Sequence, residues 1–82
     1  MSLIKKTKRE SVFIKGPEGK MYLPRPTGWL SGWMRHRWFQ DKTGVTPSIA
    51  SPDYWNSLRE TYVTSRLVEY EDGQWEITSE SR

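Results

Sequence analysis

Few residues in this chain can carry proton-transfer or nucleophilic chemistry. His36 is the only imidazole, and there is no cysteine. A relay of nucleophile, base and acid would have to use His36 as its base, yet no nucleophile motif such as G-x-S-x-G is present. One histidine without cysteine cannot complete an ordinary zinc site. Glu69, Glu71 and Glu76 are near enough in sequence to be considered as paired carboxylates. Strand alternation and tight pairing, however, put them on the solvated side of a hairpin, where acids are not tuned for catalysis. Glycine-rich phosphate loops and dinucleotide fingerprints are missing too. The sequence therefore predicts no enzyme, no cofactor and no bound metal.

What remains is recognition chemistry. Trp29, Trp33 and Trp38 crowd into GWLSGWMRHRWFQDKTG together with Arg35, Arg37 and Phe39. Tryptophan and arginine dominate interface hot spots because they combine area, rigidity and a polar handle. The same mixture stacks on nucleobases. A second set, Lys5, Lys6, Lys8, Arg9, Lys15, Lys20 and Arg25, can neutralise phosphates. Residues 1–44 hold ten Lys/Arg against Glu10, Glu18 and Asp41, a balance of +7, and residues 45–82 hold three against seven acids, a balance of −4. Such a split marks either an oriented interface or two halves that attract each other inside the fold.

The elements that must position these groups follow from spacing. Residues 1–10 are basic and aperiodic and read as a flexible arm. Residues 11–24 read as a hairpin about Gly16-Pro17-Glu18-Gly19, with Ile14 opposite Met21 and Val12 opposite Leu23. Pro24 to Gly28 is a stiff connector. A helix follows over 29–41, with Thr27 as its cap, Gly44 at its end and Gly32 weakening it by about 1 kcal/mol relative to alanine. Its wheel gathers Trp29, Leu30, Trp33, Met34 and Trp38 around Arg37, and turns Phe39 away. Two of the tryptophans are expected to plug the core.

Residues 44–51 read as a loop. Ser51-Pro52-Asp53 then starts a second helix reaching about Ser65, with Tyr54, Trp55, Leu58 and Tyr62 on one face. Asp72-Gly73 signals a two-residue hairpin that sets Tyr70 opposite Trp75, Val68 opposite Ile77 and Glu69 opposite Glu76. Residues 78–82 read as a frayed tail. The helix, helix, hairpin order resembles a winged helix-turn-helix, but the 42–51 connection is too long for one. The hairpin is also too acidic to be a phosphate-contacting wing.

The fold class expected is α+β: one small domain over 11–77 with an N-terminal hairpin, two helices and a C-terminal hairpin. Leu, Ile, Val and Phe supply only 15 of 82 residues, so the core must lean on Trp and Tyr. The function expected is that of a protein-binding module, as a small subunit of a larger assembly or a compact inhibitor or adaptor. Its contact residues would be Trp29, Trp33, Arg35, Arg37, Trp38, Phe39, Glu69 and Glu71. The alternative is nucleic-acid binding through the basic set, and a weaker third reading lays helix 29–39 on a membrane surface. With no secretory signal and no apolar span in the sequence, a cytoplasmic site in a cell or an infected cell is expected.

Overall fold

Alternation along one strand organises the whole molecule. In a computed structural model, which describes residues 5–26 and 28–79, Phe13 and Ile14 are adjacent and both buried, and they belong to two different cores. Successive side chains of a strand point to opposite faces, so this strand must be covered on both sides.

The strand is β1, Thr7–Lys15. It lies at the centre of a five-stranded sheet completed by β2 (Met21–Pro24), β3 (Ser48–Ala50), β4 (Thr64–Tyr70) and β5 (Trp75–Ser79), in spatial order β3-β2-β1-β4-β5. Helix α1 (Trp29–Thr43) joins β2 to β3, and α2 (Pro52–Thr61) joins β3 to β4. The β2–β3 pair is parallel and the other three pairs are antiparallel. The α+β class expected from sequence stands. The order of elements differs: it is β-β-α-β-α-β-β, with a short strand inside the segment read as the 44–51 loop.

α1 covers one face, packing Trp38 and Phe39 onto Phe13, Leu23 and Leu67, with Met21 at the margin. α2 covers part of the other, packing Leu58, Trp55 and Tyr62 against Ile14, Ala50 and Tyr22. α2 begins as read: Ser51 caps it by accepting from the Tyr54 amide at 3.3 Å, and Pro52 opens the first turn. It stops at Thr61, several residues short of the expected Ser65, because Thr64 and Ser65 pair in β4. α1 ends on Gly44, whose φ of 75° suits the left-handed position after a helix. Its start is capped by Gly28 with no side-chain bond; the expected cap, Thr27, lies outside the described residues.

Both hairpin registers differ from the expected ones by one position. At the first, Ile14 pairs with Tyr22 and Lys15 with Met21, because Pro17–Gly19 forms a 3₁₀ turn with Glu18 and Gly19 at positive φ. At the second, the turn is three residues, Glu71 to Gly73, closed by Tyr70 N–H donating to the Gln74 carbonyl. Gly73, at φ 91°, supplies the left-handed residue of that loop. Glu69 therefore faces Trp75, and Leu67 faces Ile77. A slip of one residue exchanges the faces of a strand. Here it turns Trp75 and Ile77 to the same side as Leu67 and Glu69, and the pairing of β4 with β1 makes that the side α1 covers.

Within the segment expected to be a basic arm, residues 1–10, Thr7 to Glu10 instead belong to β1, which pairs with β4. Met1 to Ile4 lie outside the described residues. Of the tail, Thr78 and Ser79 pair with β4, and residues 80–82 lie outside the description.

Candidate partner interface on helix α1

α1 has an inner side, an outer side and one polar hinge between it and the sheet. The inner side is set by Phe39, fully buried and edge-on to Phe13 with ring centroids 5.1 Å apart, and by the mostly buried Trp38. Gly32, about two turns nearer the helix start, lets the backbone approach Pro26 so closely that a Cβ would lie 2.2 Å from the proline Cγ. The outer side carries Trp33 and Met34, which are 57% and 50% exposed.

The hinge is Glu69. Its Oε1 accepts from the Trp38 indole N–H at 3.0 Å, and its Oε2 lies 2.8 Å from Lys42 Nζ on the last turn of α1. The Lys42 hydrogen bond, reinforced by the Trp38 N–H and by the Lys42 and Lys8 charges, holds the Glu69 carboxyl below its usual range despite partial burial. A carboxyl whose folded pKa is depressed adds stability above its unfolded pKa and loses it as pH falls through the folded value. Glu69→Gln should therefore flatten the acid limb of a stability-against-pH curve below the ordinary glutamate range. Denaturant midpoints measured across that range would show it, and an unchanged acid limb would remove Glu69 from this role.

The register expected from sequence makes Glu69 a solvated acid opposite Glu76. It is instead mostly buried opposite Trp75, a correction that follows from its sharing the α1 face of β4 with Leu67 and from the three-residue turn. Glu76 remains on the other face and accepts from the Tyr70 hydroxyl, which pushes the Tyr70 pKa up.

Between the outer side of α1 and β1 lies a hollow of about 250 Å³, lined by Arg9, Trp33, Met34, Arg37, Trp38 and Asp41. Two guanidiniums in it rest on indoles: Arg37 sits 5.5 Å from the Trp33 ring centre and Arg9 5.6 Å from that of Trp38. Such stacking holds a cation in place while leaving its N–H edges available. The register of β1 against β4 breaks between Thr7 and Arg9, so Lys8 is an inserted residue. Insertions of this kind bend a strand and re-aim side chains. A second hollow, about 310 Å³, lies on the other flank of Trp33, walled by Pro26, Gly32, His36 and Ile49. Trp33 is thus a ridge between two depressions, and His36 is anchored beside it by a 3.0 Å hydrogen bond with the Pro47 carbonyl.

The expected contact residues separate accordingly. Trp33 and Arg37 are exposed and adjacent; Arg35 is half-buried nearby, lining a smaller hollow with Arg9, Glu10 and Met34. Trp38 and Phe39 belong to the core, Phe39 against the expectation that it turns outward, and Glu69 is committed to Lys42 and Trp38. Glu71 is exposed in the β4–β5 turn. The Trp29 side chain lies outside the description. Met34 stood on the sequence wheel but not among the expected contacts. Ile49 carried no signal, because β3 was not foreseen.

Of the basic set, Lys5, Lys6, Lys8, Arg9, Lys15, Lys20 and Arg25 are all exposed, but they do not form one patch. Lys5 is engaged at the far turn with Gln74, Asp72 and the Tyr70 ring. Lys15 and Lys20 flank the opposite turn, between β1 and β2. The ion pairs Lys5–Asp72 and Lys42–Glu69 join cations of the basic half to acids of the acidic half, whereas Arg66–Glu10 runs the other way. Part of the charge split is therefore met within the fold. Among the described residues no group of three acids, histidines or cysteines is arranged to hold a metal, and no helix is long and apolar enough to cross a membrane. Comparison with protein families, curated proteins and solved structures finds no match.

Proposed function

We propose that this protein is a non-enzymatic binding module that takes an acidic, aliphatic-bearing protein segment on the outer side of α1, as a small assembly subunit or a compact inhibitor or adaptor. One observation carries the reading. Trp33 and Met34 are left open to solvent with Arg37 stacked on the indole, although the same helix buries Phe39 fully and most of Trp38. A chain poor in aliphatics that still spends a tryptophan on its surface has placed a potential hot spot there. The occupant's charge follows from the rim, where Arg9 and Arg37 outweigh Asp41. An aliphatic side chain would sit against Trp33 and Met34 while carboxylates meet the guanidinium edges. Glu71 in the turn is the residue left to serve as the acidic contact expected of the hairpin.

Fluorescence anisotropy with labelled peptides tests this. Peptides that set Asp or Glu beside Leu, Ile or Val should bind, and the same apolar pattern carrying Lys should not. Trp33→Ala should weaken binding by at least about 2 kcal/mol, roughly thirty-fold. It should change folding stability by no more than about 0.5 kcal/mol, because the side chain is largely exposed. Equal binding of acidic and basic peptides, or unchanged affinity in Trp33→Ala, would reject the proposal.

One observation favours a nucleic-acid reading as the second choice: Arg9, beside the inserted Lys8, shares a hollow with Trp33 and Arg37. A single strand stacked on Trp33 would then show affinity falling with salt, at a log-log slope of about −0.7 per phosphate contacted. The protein-binding reading expects no oligonucleotide binding even at low salt.

A further inference from the structure

We propose that β5 is a self-pairing edge, through which two copies of this chain join antiparallel into one continuous sheet. This surface is separate from the outer side of α1 and does not depend on the reading given above. β5 is the last strand of the sheet beyond β4, and all five of its residues are exposed. Among the described residues no strand lies outside it. Free strand edges are normally blunted by lysine, proline, a bulge or a very short length. The opposite edge, β3, is only three residues long and follows Pro47. β5 has no lysine, no proline and an unbroken register against β4.

The hydrogen-bonding parity of the free edge can be worked out from the turn. Tyr70 N–H donates to the Gln74 carbonyl, so Gln74 points its backbone groups at β4. Pairs alternate along an antiparallel ladder. Glu76 and Thr78 therefore also bond inward, while Trp75, Ile77 and Ser79 present N–H and C=O outward. A two-fold axis at Ile77 sets Ile77 against its equivalent and Trp75 against Ser79 of the second copy, which matches every outward donor with an acceptor. It also sets Glu76 against Thr78. Moving the centre to Glu76 would oppose two glutamates, and moving it to Thr78 would set Trp75 against a position beyond β5. Within β5, the register centred on Ile77 is the one that pairs every outward group.

Side chains favour the same arrangement. Trp75 and Ile77 stand on the α1 face of the sheet, 44% and 47% exposed, beside buried Leu67 and Glu69. In the paired register each Trp75 lies diagonal to the second copy's Ile77, within reach of a large side chain. A two-fold axis normal to the sheet keeps both α1 helices on one side of the joined sheet.

Sedimentation equilibrium of the full chain, from micromolar to millimolar, tests this together with two single-cysteine variants of a protein that has no cysteine of its own. The apparent mass should rise from 9.7 kDa toward twice that value. Ile77→Lys should stay monomeric with an unchanged circular dichroism spectrum, and Trp33→Ala should dimerise normally. Ile77→Cys should form a disulfide dimer on mild oxidation, since directly opposed Cα atoms at about 5.5 Å fall within disulfide reach. Thr78→Cys should not, because its copies would be about 8 Å apart in this register. A monomer at every concentration overturns the proposal. So does cross-linking of Thr78→Cys as efficient as that of Ile77→Cys, a readout that stands even where the lysine variant unfolds.

Discussion

Phe39→Ala should lower the free energy of unfolding by about 3–5 kcal/mol, the largest loss expected from any single truncation on α1. The ring is fully buried, edge-on to Phe13, and enclosed by Leu23, Leu67 and Trp38. Deleting it removes the transfer free energy of an aromatic side chain and leaves a cavity whose walls come from three strands and a helix, which cannot all collapse inward. Small domains are stable by only about 5–15 kcal/mol in total. Loss on this scale should move the denaturant midpoint far down and leave a measurable unfolded fraction near physiological temperature. The result also separates two roles for the residue. A contact residue turned to solvent would cost little stability and much binding on truncation. Near-wild-type unfolding by Phe39→Ala would place the ring outside the core and undo the α1 packing described above.

Gly32→Ala should destabilise the fold by about 1–3 kcal/mol, opposite in sign to the ordinary rule. In an unencumbered helix interior, alanine is better than glycine by about 1 kcal/mol. Here the added methyl would lie 2.2 Å from Pro26 Cγ and 3.0 Å from its Cβ, well inside van der Waals contact. Either the connector 24–28 or the start of α1 must move, and the hollow between Trp33 and Ile49 moves with them. Gly32→Ala combined with Pro26→Ala removes most of the clash, so the double variant should be more stable than Gly32→Ala alone. That non-additivity is the signature of direct contact. A Gly32→Ala protein more stable than the parent would show that the close approach is not needed.

The helices and the local punctuation were legible from sequence; pairing across the chain was not. Ser51-Pro52-Asp53 and Gly44 carry their signals within one turn, and both did what their chemistry requires. The hairpin turns were recognised by place, but their lengths were not. Asp72-Gly73 fits a two-residue loop equally well, and only the Tyr70 to Gln74 bond selects three. That one residue set Trp75 rather than Glu76 opposite Glu69, while the β1–β4 pairing put Glu69 on the α1 face with Leu67, so the polar hinge of the candidate site could not be anticipated. β3 was invisible for another reason: three residues after a proline have no period, and they are held by parallel pairing to β2 and by burial of Ala50. Phe39 was misplaced because a helical wheel ranks faces by hydrophobic crowding. The buried face here is selected by close approach at Gly32 and by the Glu69 bonds to Trp38 and Lys42.

The central position of β1 has a consequence for how the chain is made. Its longest ladder is with β4, where Ser11 meets Leu67 and Thr7 meets Tyr70. β1 must therefore wait for the helices and β3 to be made before its main partner, β4, exists. Only the short β1–β2 hairpin can form early, and two strands without a covering helix are marginal in water. The sheet thus cannot close until β4 has been made, and its contacts of high sequence separation slow the search. In the interval the cationic groups of Lys5 to Arg9 stand unneutralised by Asp72 and Glu69. The net charge falls from +7 for residues 1–44 to +3 once residues 45–82 are added, and folding then brings Asp72 and Glu69 against Lys5 and Lys42.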